Sequence, residues 1–198
     1  MNKLKTIIGT TVLSLVSVAA YSATLTPVSV TGAGGAYFNL SNINDGYVPA
    51  ERADWRSNTT FWNGTDRVFT FDYGSLFNID DVLVSVDNND GYGVQWSADN
   101  SHWNDLFQIT SSMGDVGWGM DTMTTFPSAE YISAINFSSV QAQYLRIFAV
   151  NGDNSYSVGE FTAYGTPVSA VPIPAAALMF FPALLGFLGF RRSIKQPV

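Results

Sequence analysis

The stretch Arg67-Val68-Phe69-Thr70-Phe71-Asp72-Tyr73 alternates between apolar and polar side chains. Because successive side chains of a β-strand point to opposite faces, its three aromatic rings would share one face of a sheet. The same period of two recurs in residues 82–86 and 92–96, and no segment between residues 24 and 165 has a convincing helical period. These short runs predict an all-β sandwich or barrel.

Turn residues separate the alternating runs. The segment Asp87-Asn88-Asn89-Asp90-Gly91 lies between two of them and predicts a hairpin loop. Further apolar runs occupy residues 132–137 and 144–150, and residues 151–154, Asn-Gly-Asp-Asn, turn the chain into a last predicted strand at 157–164. We find no internal repeat.

Charge and cysteine content limit the class of protein. The chain has 198 residues, no cysteine and one histidine. Between residues 24 and 170 the cations are four arginines, set against all sixteen acidic residues, so the net charge there is −12. Such a domain should be repelled by nucleic acid and by anionic lipid. Without disulfides, an apolar core or a metal ion must hold it together.

Five sequence blocks follow one another in the order known from a family of sandwich domains. The blocks are Asn44–Gly46 with Trp55, Val68–Tyr73 with Ile79–Val82, Tyr92–Trp103, Ala142–Ile147, and Val158–Gly165. Together they resemble a coagulation factor 5/8 type C, or discoidin, domain. The resemblance implies a galactose-binding-like jelly-roll β-sandwich within residues 24–165.

The same resemblance implies a structural calcium ion. In the sugar-binding branch of that family, calcium lies beneath the loop opened by an Asp-Gly pair and is reached by a Glu of the final strand. The matching residues here are Asp45 and Glu160. The family often has Thr just before the Trp of the first block, whereas Ala53-Asp54 precede Trp55, after a longer spacing. The alternative is that Asp45 only shapes a turn.

Aromatic residues in predicted loops are candidates for a glycan-binding surface. An exposed ring can stack on the apolar face of a sugar while neighbouring polar groups bind its hydroxyls. Trp118 is flanked by Gly117 and Gly119, which leave its ring accessible. Each of these aromatic residues could instead anchor the core. The candidates are Trp55, Trp62, Tyr92 and Trp118.

The sequence offers little for catalysis. His102 is the one histidine, and no Ser-Asp arrangement near it indicates a triad. Sixteen carboxylates could supply a pair for glycoside hydrolysis, but no pattern distinguishes any two of them. We therefore predict a protein that is not an enzyme.

Residues 1–23 have the features of a secretory signal peptide. Lys3 and Lys5 form a charged start, residues 7–18 are apolar, and small residues follow up to Ala23. Cleavage could follow Ala20, Ser22 or Ala23. The alternative is an uncleaved membrane anchor.

The C-terminal segment, residues 171–198, combines a proline-spaced entry, an apolar run to Phe190 and a basic pair. This order resembles the PEP-CTERM sorting signal in its VPxPAA form, which implies a transmembrane helix and an exosortase as processing enzyme. Ile173 stands where the name-giving form has Glu. A buried core helix is the alternative. The matching residues are Val171, Pro172, Ile173, Pro174, Ala175, Ala176, Arg191 and Arg192.

Taken together, the sequence predicts a signal peptide, a discoidin-like sandwich at 24–165, a linker at 166–170 and the sorting segment. The protein would cross the inner membrane of a Gram-negative bacterium, be anchored there by its C-terminus, and then reach the cell surface or extracellular matrix. We predict that it binds polysaccharide and does not bind nucleic acid. The alternatives are an acidic matrix protein with no small ligand and a carbohydrate-active enzyme.

Overall fold

A computed structural model describes residues 22–168 and confirms the all-β prediction for them. In this range ten strands are joined by loops and by one 3₁₀ helix, Leu40–Asn44. The strands are β1 (Ala23–Leu25), β2 (Ser29–Ala33), β3 (Tyr37–Phe38), β4 (Thr60–Asn63), β5 (Val68–Asp87), β6 (Gly91–Ser97), β7 (Asn104–Ile109), β8 (Met120–Thr124), β9 (Val140–Asn151) and β10 (Ser155–Pro167).

Strand β5 joins two antiparallel layers because it is twenty residues long and changes partners along its length. Its first part, residues 68–72, pairs with β2 and β9, and β9 continues to β6 and β7. Its last part, residues 82–87, pairs with β8 and β10, and β10 continues to β4 and β3. The register shifts between Asp72 and Phe77, where the strand passes from one layer to the other.

Aromatic rings from both layers fill the space between them. Phe71 of the first layer stacks on Phe161 of the second, with 4.7 Å between ring centroids. Phe69 meets Trp62 at the same centroid distance. All four side chains are fully buried. The alternating aromatic positions of the 67–73 stretch therefore face the core as the sequence predicts, and they hold the layers together by apolar burial.

The predicted hairpin at residues 87–91 is wrong. The strands on its two sides, β5 and β6, do not pair with each other: β6 pairs with β7 and β9, and the end of β5 pairs with β8 and β10. The segment instead carries the chain from one layer to the other. Apolar alternation identified both strands, but it carries no information about which strand lies beside which.

Strand β10 extends beyond the predicted domain end. Thr166 and Pro167 pair with Asn78 and Phe77 of β5, so they belong to the sheet and not to the predicted linker. Ala23, the last residue of the predicted signal peptide, begins β1 opposite Gly165. The rest of the signal peptide and the whole sorting segment lie outside the described residues. Among residues 22–168 there is no helix with the length and apolar character needed to span a membrane.

Candidate functional site

Glu160 lies beneath the loop that contains Asp45, although 115 positions separate them in the sequence. Its side chain is 1% exposed. The Gly46 backbone N–H donates to Oε2 at 2.9 Å, and the Thr162 hydroxyl donates to Oε1 at 2.5 Å. The Asn44 amide also contacts Oε1, at 3.3 Å. The first loop and the last strand therefore meet at this carboxylate.

The residues around Glu160 fit a calcium ion. Burial raises the pKa of Glu160, and within residues 22–168 no cationic side chain forms an ion pair with it. A buried carboxylate without a counter-charge is unfavourable. Asp45 is exposed, and only its Oδ1 is engaged, by the Tyr47 N–H at 2.9 Å. Asp45 and Glu160 thus offer hard carboxylate oxygens of the kind that calcium prefers, while the Asn44 side chain turns its amide nitrogen towards Glu160.

Trp62 and Tyr92 do not line a binding surface, and this part of the prediction is wrong. Both are fully buried, Trp62 in β4 and Tyr92 in β6, with 6.3 Å between their ring centroids. Tyr92 accepts a hydrogen bond from the Ser157 N–H at 3.2 Å through its hydroxyl. Each ring lies on the face of its strand that is turned towards the core.

Trp55 and Trp118 line one cleft with a volume of about 480 Å³. Trp118 is 62% exposed, whereas Trp55 is half-buried and lies edge-on to Phe61 at 5.7 Å. The Arg56 guanidinium carbon lies 4.3 Å from the centre of the Trp55 ring and fixes its orientation. The cleft residues are Arg52, Ala53, Asp54, Trp55, Asp87, Asn89, Trp118, Gly119 and Asp153.

Two backbone hydrogen bonds bring the two tryptophan loops together. The Arg52 N–H donates to the Met120 carbonyl at 2.8 Å, and the Met120 N–H donates to the Ala53 carbonyl at 3.1 Å. Gly119 makes this approach possible because its φ is +70° and a Cβ there would lie 2.7 Å from the Ala53 carbonyl oxygen. Only glycine fits such a position without strain.

The cleft is acidic. Arg52 is its one cation, and Asp54, Asp87 and Asp153 contribute carboxylates. Burial, together with the charges of Asp153 and Asp54, raises the pKa of Asp87 to about 6. Behind it, burial is the main cause that raises the pKa of Asp90 to about 7.

The sequence did not identify the polar wall of the cleft. Arg52 and Asp153 come from two separate loops and Asp87 from the end of β5, and only the pairing of strands places them together. The run of acidic and amide residues at 87–91 was the available signal. It looked like an ordinary turn, and its burial is visible only in three dimensions.

Comparison with solved structures shows that this chain shares its fold with known domains. No protein-family model and no curated protein matches the chain. A truncated AlyQ with CBM32 and alginate lyase domains gives a TM-score of 0.53 at 20% sequence identity, covering 76% of this chain and 35% of that one. The CBM32 domain of AlyQ in complex with 4,5-unsaturated mannuronic acid gives 0.52 at 21% identity, covering 71% and 97%.

The fold is that of a CBM32 domain. This agrees with the discoidin-like, galactose-binding-like sandwich predicted from the five sequence blocks. The chain spans 35% of the longer AlyQ structure, which also contains the alginate lyase domain.

Proposed function

We propose that this chain binds a glycan in the cleft formed by Trp55 and Trp118. The supporting observation is that two of the four aromatic candidates from the sequence line the same cleft, together with groups that can form hydrogen bonds. A volume of about 480 Å³ falls in the range of small-molecule sites. The exposed ring of Trp118 would stack on a sugar, while Arg52, Asn89 and Asp153 would bind its hydroxyls.

The charge of the cleft favours a neutral sugar. Three carboxylates face one arginine, and the domain around them has a net charge of −12. A uronate would be repelled by this field. The AlyQ domain is in complex with an unsaturated mannuronic acid, so we expect the specificity of this chain to differ from it.

Binding to immobilised polysaccharides tests the proposal. The full chain should bind at least one neutral polysaccharide more tightly than polymers of uronic acids. Trp118→Ala and Trp55→Ala should each weaken that binding at least about tenfold, a typical effect of removing an aromatic anchor. Trp103→Ala is the matched control, because Trp103 lies 4.0 Å from the Arg146 guanidinium and is not among the residues that line the cleft. Equal loss in all three variants would contradict the assignment.

We also propose that calcium binds between Asp45 and Glu160 and stabilises the domain. Its support is the buried Glu160, which lies beneath the loop that contains Asp45 and forms no ion pair within residues 22–168. The ion would balance the charge of Glu160 and join the first loop to the last strand. It would have a structural role.

Export and sorting complete the proposal. Residues 1–23 would direct secretion across the inner membrane, and residues 171–198 would anchor the protein there until an exosortase-type enzyme processes it for the cell surface or extracellular matrix. Deleting residues 171–198 should release the domain in soluble form. Retention of the truncated chain in the same place as the full chain would contradict this part of the proposal. An internal control, Arg191→Lys with Arg192→Lys, keeps the charge and should still be retained at the membrane.

Two alternatives give different results in the same assays. An acidic matrix protein without a small ligand is favoured by the net charge of −12, and it would bind no polysaccharide in a way that depends on Trp118. A carbohydrate-active enzyme would cleave polysaccharide and lose that activity in Asp87→Asn, because Asp87 is the cleft carboxyl with the raised pKa.

A further inference from the structure

A second group of carboxylates converges beside the cleft. Glu51, Asp115 and Asp121 each place one oxygen so that all three oxygens lie within 4.8 Å of one another. Glu51 and Asp115 are exposed, whereas Asp121 is fully buried at the start of β8. Within residues 22–168 none of the three forms an ion pair with a cation. Like charges this close repel one another unless a cation lies between them.

Two buried oxygens without hydrogen-bond partners also lie at this group of residues. Asp121 Oδ1 and Asn88 Oδ1 are buried and accept no hydrogen bond, and Asn88 is 4% exposed. Both side chains face Gly114, where a Cβ would lie 1.9 Å from Asp121 Oδ2 and 3.2 Å from Asn88 Oδ1. Buried oxygens are usually satisfied, so an unsatisfied oxygen of Asp121 itself and another on the nearby Asn88 indicate a missing ligand.

The surrounding hydrogen bonds fix these oxygens in place. Asp121 Oδ2 accepts the N–H groups of Asp115 at 3.1 Å and Val116 at 3.4 Å. The Asn88 Nδ2 group donates to the Val116 carbonyl, which leaves Oδ1 as the free end of the amide. The loop is thus folded around two buried oxygens, Asp121 Oδ1 and Asn88 Oδ1, that have no hydrogen-bond partner.

We propose that Glu51, Asp115, Asp121 and the Asn88 side-chain oxygen bind a calcium ion. All four ligands are hard oxygens, which exclude the softer metals. With Ca–O distances of about 2.3–2.6 Å, opposite ligands of calcium lie about 5 Å apart. The carboxylate separations of up to 4.8 Å are therefore compatible with one shared ion. Backbone carbonyls or water would complete its coordination.

This site is separate from the one at Glu160. The carboxylate of Glu160 contacts Asn44, Gly46 and Thr162, and none of these belongs to the second group. The second ion would also join three segments that form the cleft. Glu51 precedes the cleft residue Arg52, Asn88 lies between two cleft residues, and Asp115 belongs to the loop of Trp118. Calcium would hold the two tryptophan loops against each other.

Calcium titration of the full chain tests this site without any glycan. The protein is first freed of metal by a chelator, and bound ions are then counted by calorimetry. Glu160→Gln removes the other carboxylate site, so we expect this variant to retain one calcium. In that background, Glu51→Gln and Asp115→Asn should each weaken calcium binding at least about tenfold, since even outer-shell changes have effects of that size. Glu130→Gln, a neighbouring exposed carboxylate, is the matched control and should change nothing.

Two results in the Glu160→Gln background would overturn the proposal. One is a Glu160→Gln protein that binds no calcium up to about 10 mM, which is above the weakest affinities typical of extracellular sites. The other is calcium binding that Glu51→Gln and Asp115→Asn leave unchanged. Both residues are exposed, so their variants should fold, and circular dichroism in chelator checks this. If Glu160→Gln fails to fold, Asp115→Asn in the unsubstituted chain should remove one bound calcium, and an unchanged count would overturn the proposal.

Discussion

At the scale of single residues, two tryptophans show how environment decides a role. Trp62 is fully buried and packs on Phe69 and Tyr156. Trp118 is 62% exposed and lies in the loop before β8, and no other residue of that loop is aromatic. The first side chain contributes to stability, and the second is free to contact a ligand.

Substituting the two tryptophans should therefore have different effects on unfolding. Trp62→Ala leaves a cavity between the layers and should lower the free energy of unfolding by about 3–5 kcal/mol. Trp118→Ala removes little packing and should change it by less than about 1 kcal/mol. Urea unfolding measures both. A loss in Trp118→Ala as large as in Trp62→Ala would contradict the assignment of Trp118 to a surface.

The sequence predicted these roles only in part. It identified Trp118 by its flanking glycines, yet Gly117 has open space around it and only Gly119 is needed where the loops meet. Tyr92 shares its strand face with Val94, which already indicated burial, and both are 0% exposed. For Trp62, the four residues of β4 are too few to establish a period, and the burial follows from pairing with distant β10.

At the scale of elements, the residue 114–119 loop is held by backbone contact. Gly119 adopts a φ of +70° and lies against Ala53, and Gly117 has no atom within 4 Å of a Cβ position. These two glycines of one loop thus form a matched pair for substitution.

Gly119→Ala should lower the free energy of unfolding by about 1–3 kcal/mol, the usual effect of backbone strain. It should also weaken glycan binding, because the added Cβ would push the Trp118 loop away from Trp55. Gly117→Ala should change neither quantity by much, and it could stabilise the fold by about 0.4–1 kcal/mol by restricting the unfolded chain. Thermal unfolding and polysaccharide binding give both values. Equal behaviour of the two variants would argue against this role for Gly119.

The first loop and β10 form a second unit that can be tested with calcium. If an ion joins Asp45 to Glu160, then chelation should lower the melting temperature, and at calcium levels about 100 times the Kd the linkage amounts to about 2.7 kcal/mol. Asp45→Ala should reduce this drop in melting temperature. Asp115→Asn should remove only the part of the drop that is due to the second calcium site, at Glu51, Asp115 and Asp121. Scanning calorimetry of both variants and the double variant separates the two contributions. A chelator response that Asp45→Ala leaves unchanged would exclude the first site.

Pairing between elements is the part of the fold that the sequence could not supply. The alternation at 82–86 and 92–96 was correctly assigned to strands, but the short acidic connection between them suggested a hairpin that does not exist. A local turn and a crossover between layers have similar composition, since both need polar residues and glycine. The difference lies in the long-range partners of β6, which are β7 and β9.

At the scale of the whole molecule, acidic groups outnumber basic ones and several lie inside. Asp87, Asp90, Asp121 and Glu160 are all less than 5% exposed, and burial raises the pKa of each. Their common effect is to make the folded state hold protons more tightly than the unfolded chain does.

Stability in chelator should therefore fall as the pH rises. Asp90 has a pKa of about 7 in the folded state against 3.8 for the free side chain. Its contribution is fully present below about pH 4 and is lost as the pH passes 7, because the folded state must then hold a buried charge. At about 1.4 kcal/mol per pKa unit the loss is at most a few kcal/mol.

Urea unfolding at about pH 5 and pH 8 measures this dependence. Asp90→Asn should flatten it, because the amide keeps the shape of the side chain and cannot ionise. Asp105→Asn, at an exposed position of β7, should leave the dependence as it is. A pH profile that is the same in both variants would show that Asp90 is not its source.

The direction of β10 has a consequence for how the domain would meet its surroundings. The strand begins two residues after Asp153, on the wall of the cleft, and its thirteen residues extend for about 40 Å, at about 3.3 Å each, to Pro167. Ala23 pairs beside Gly165, so both ends of the described chain leave at that far end. Tethered by the residues that follow Val168, the domain would hold its tryptophans at the outermost tip. The domain would therefore bind polymers away from the surface to which it is tethered, and not polymers that lie on that surface.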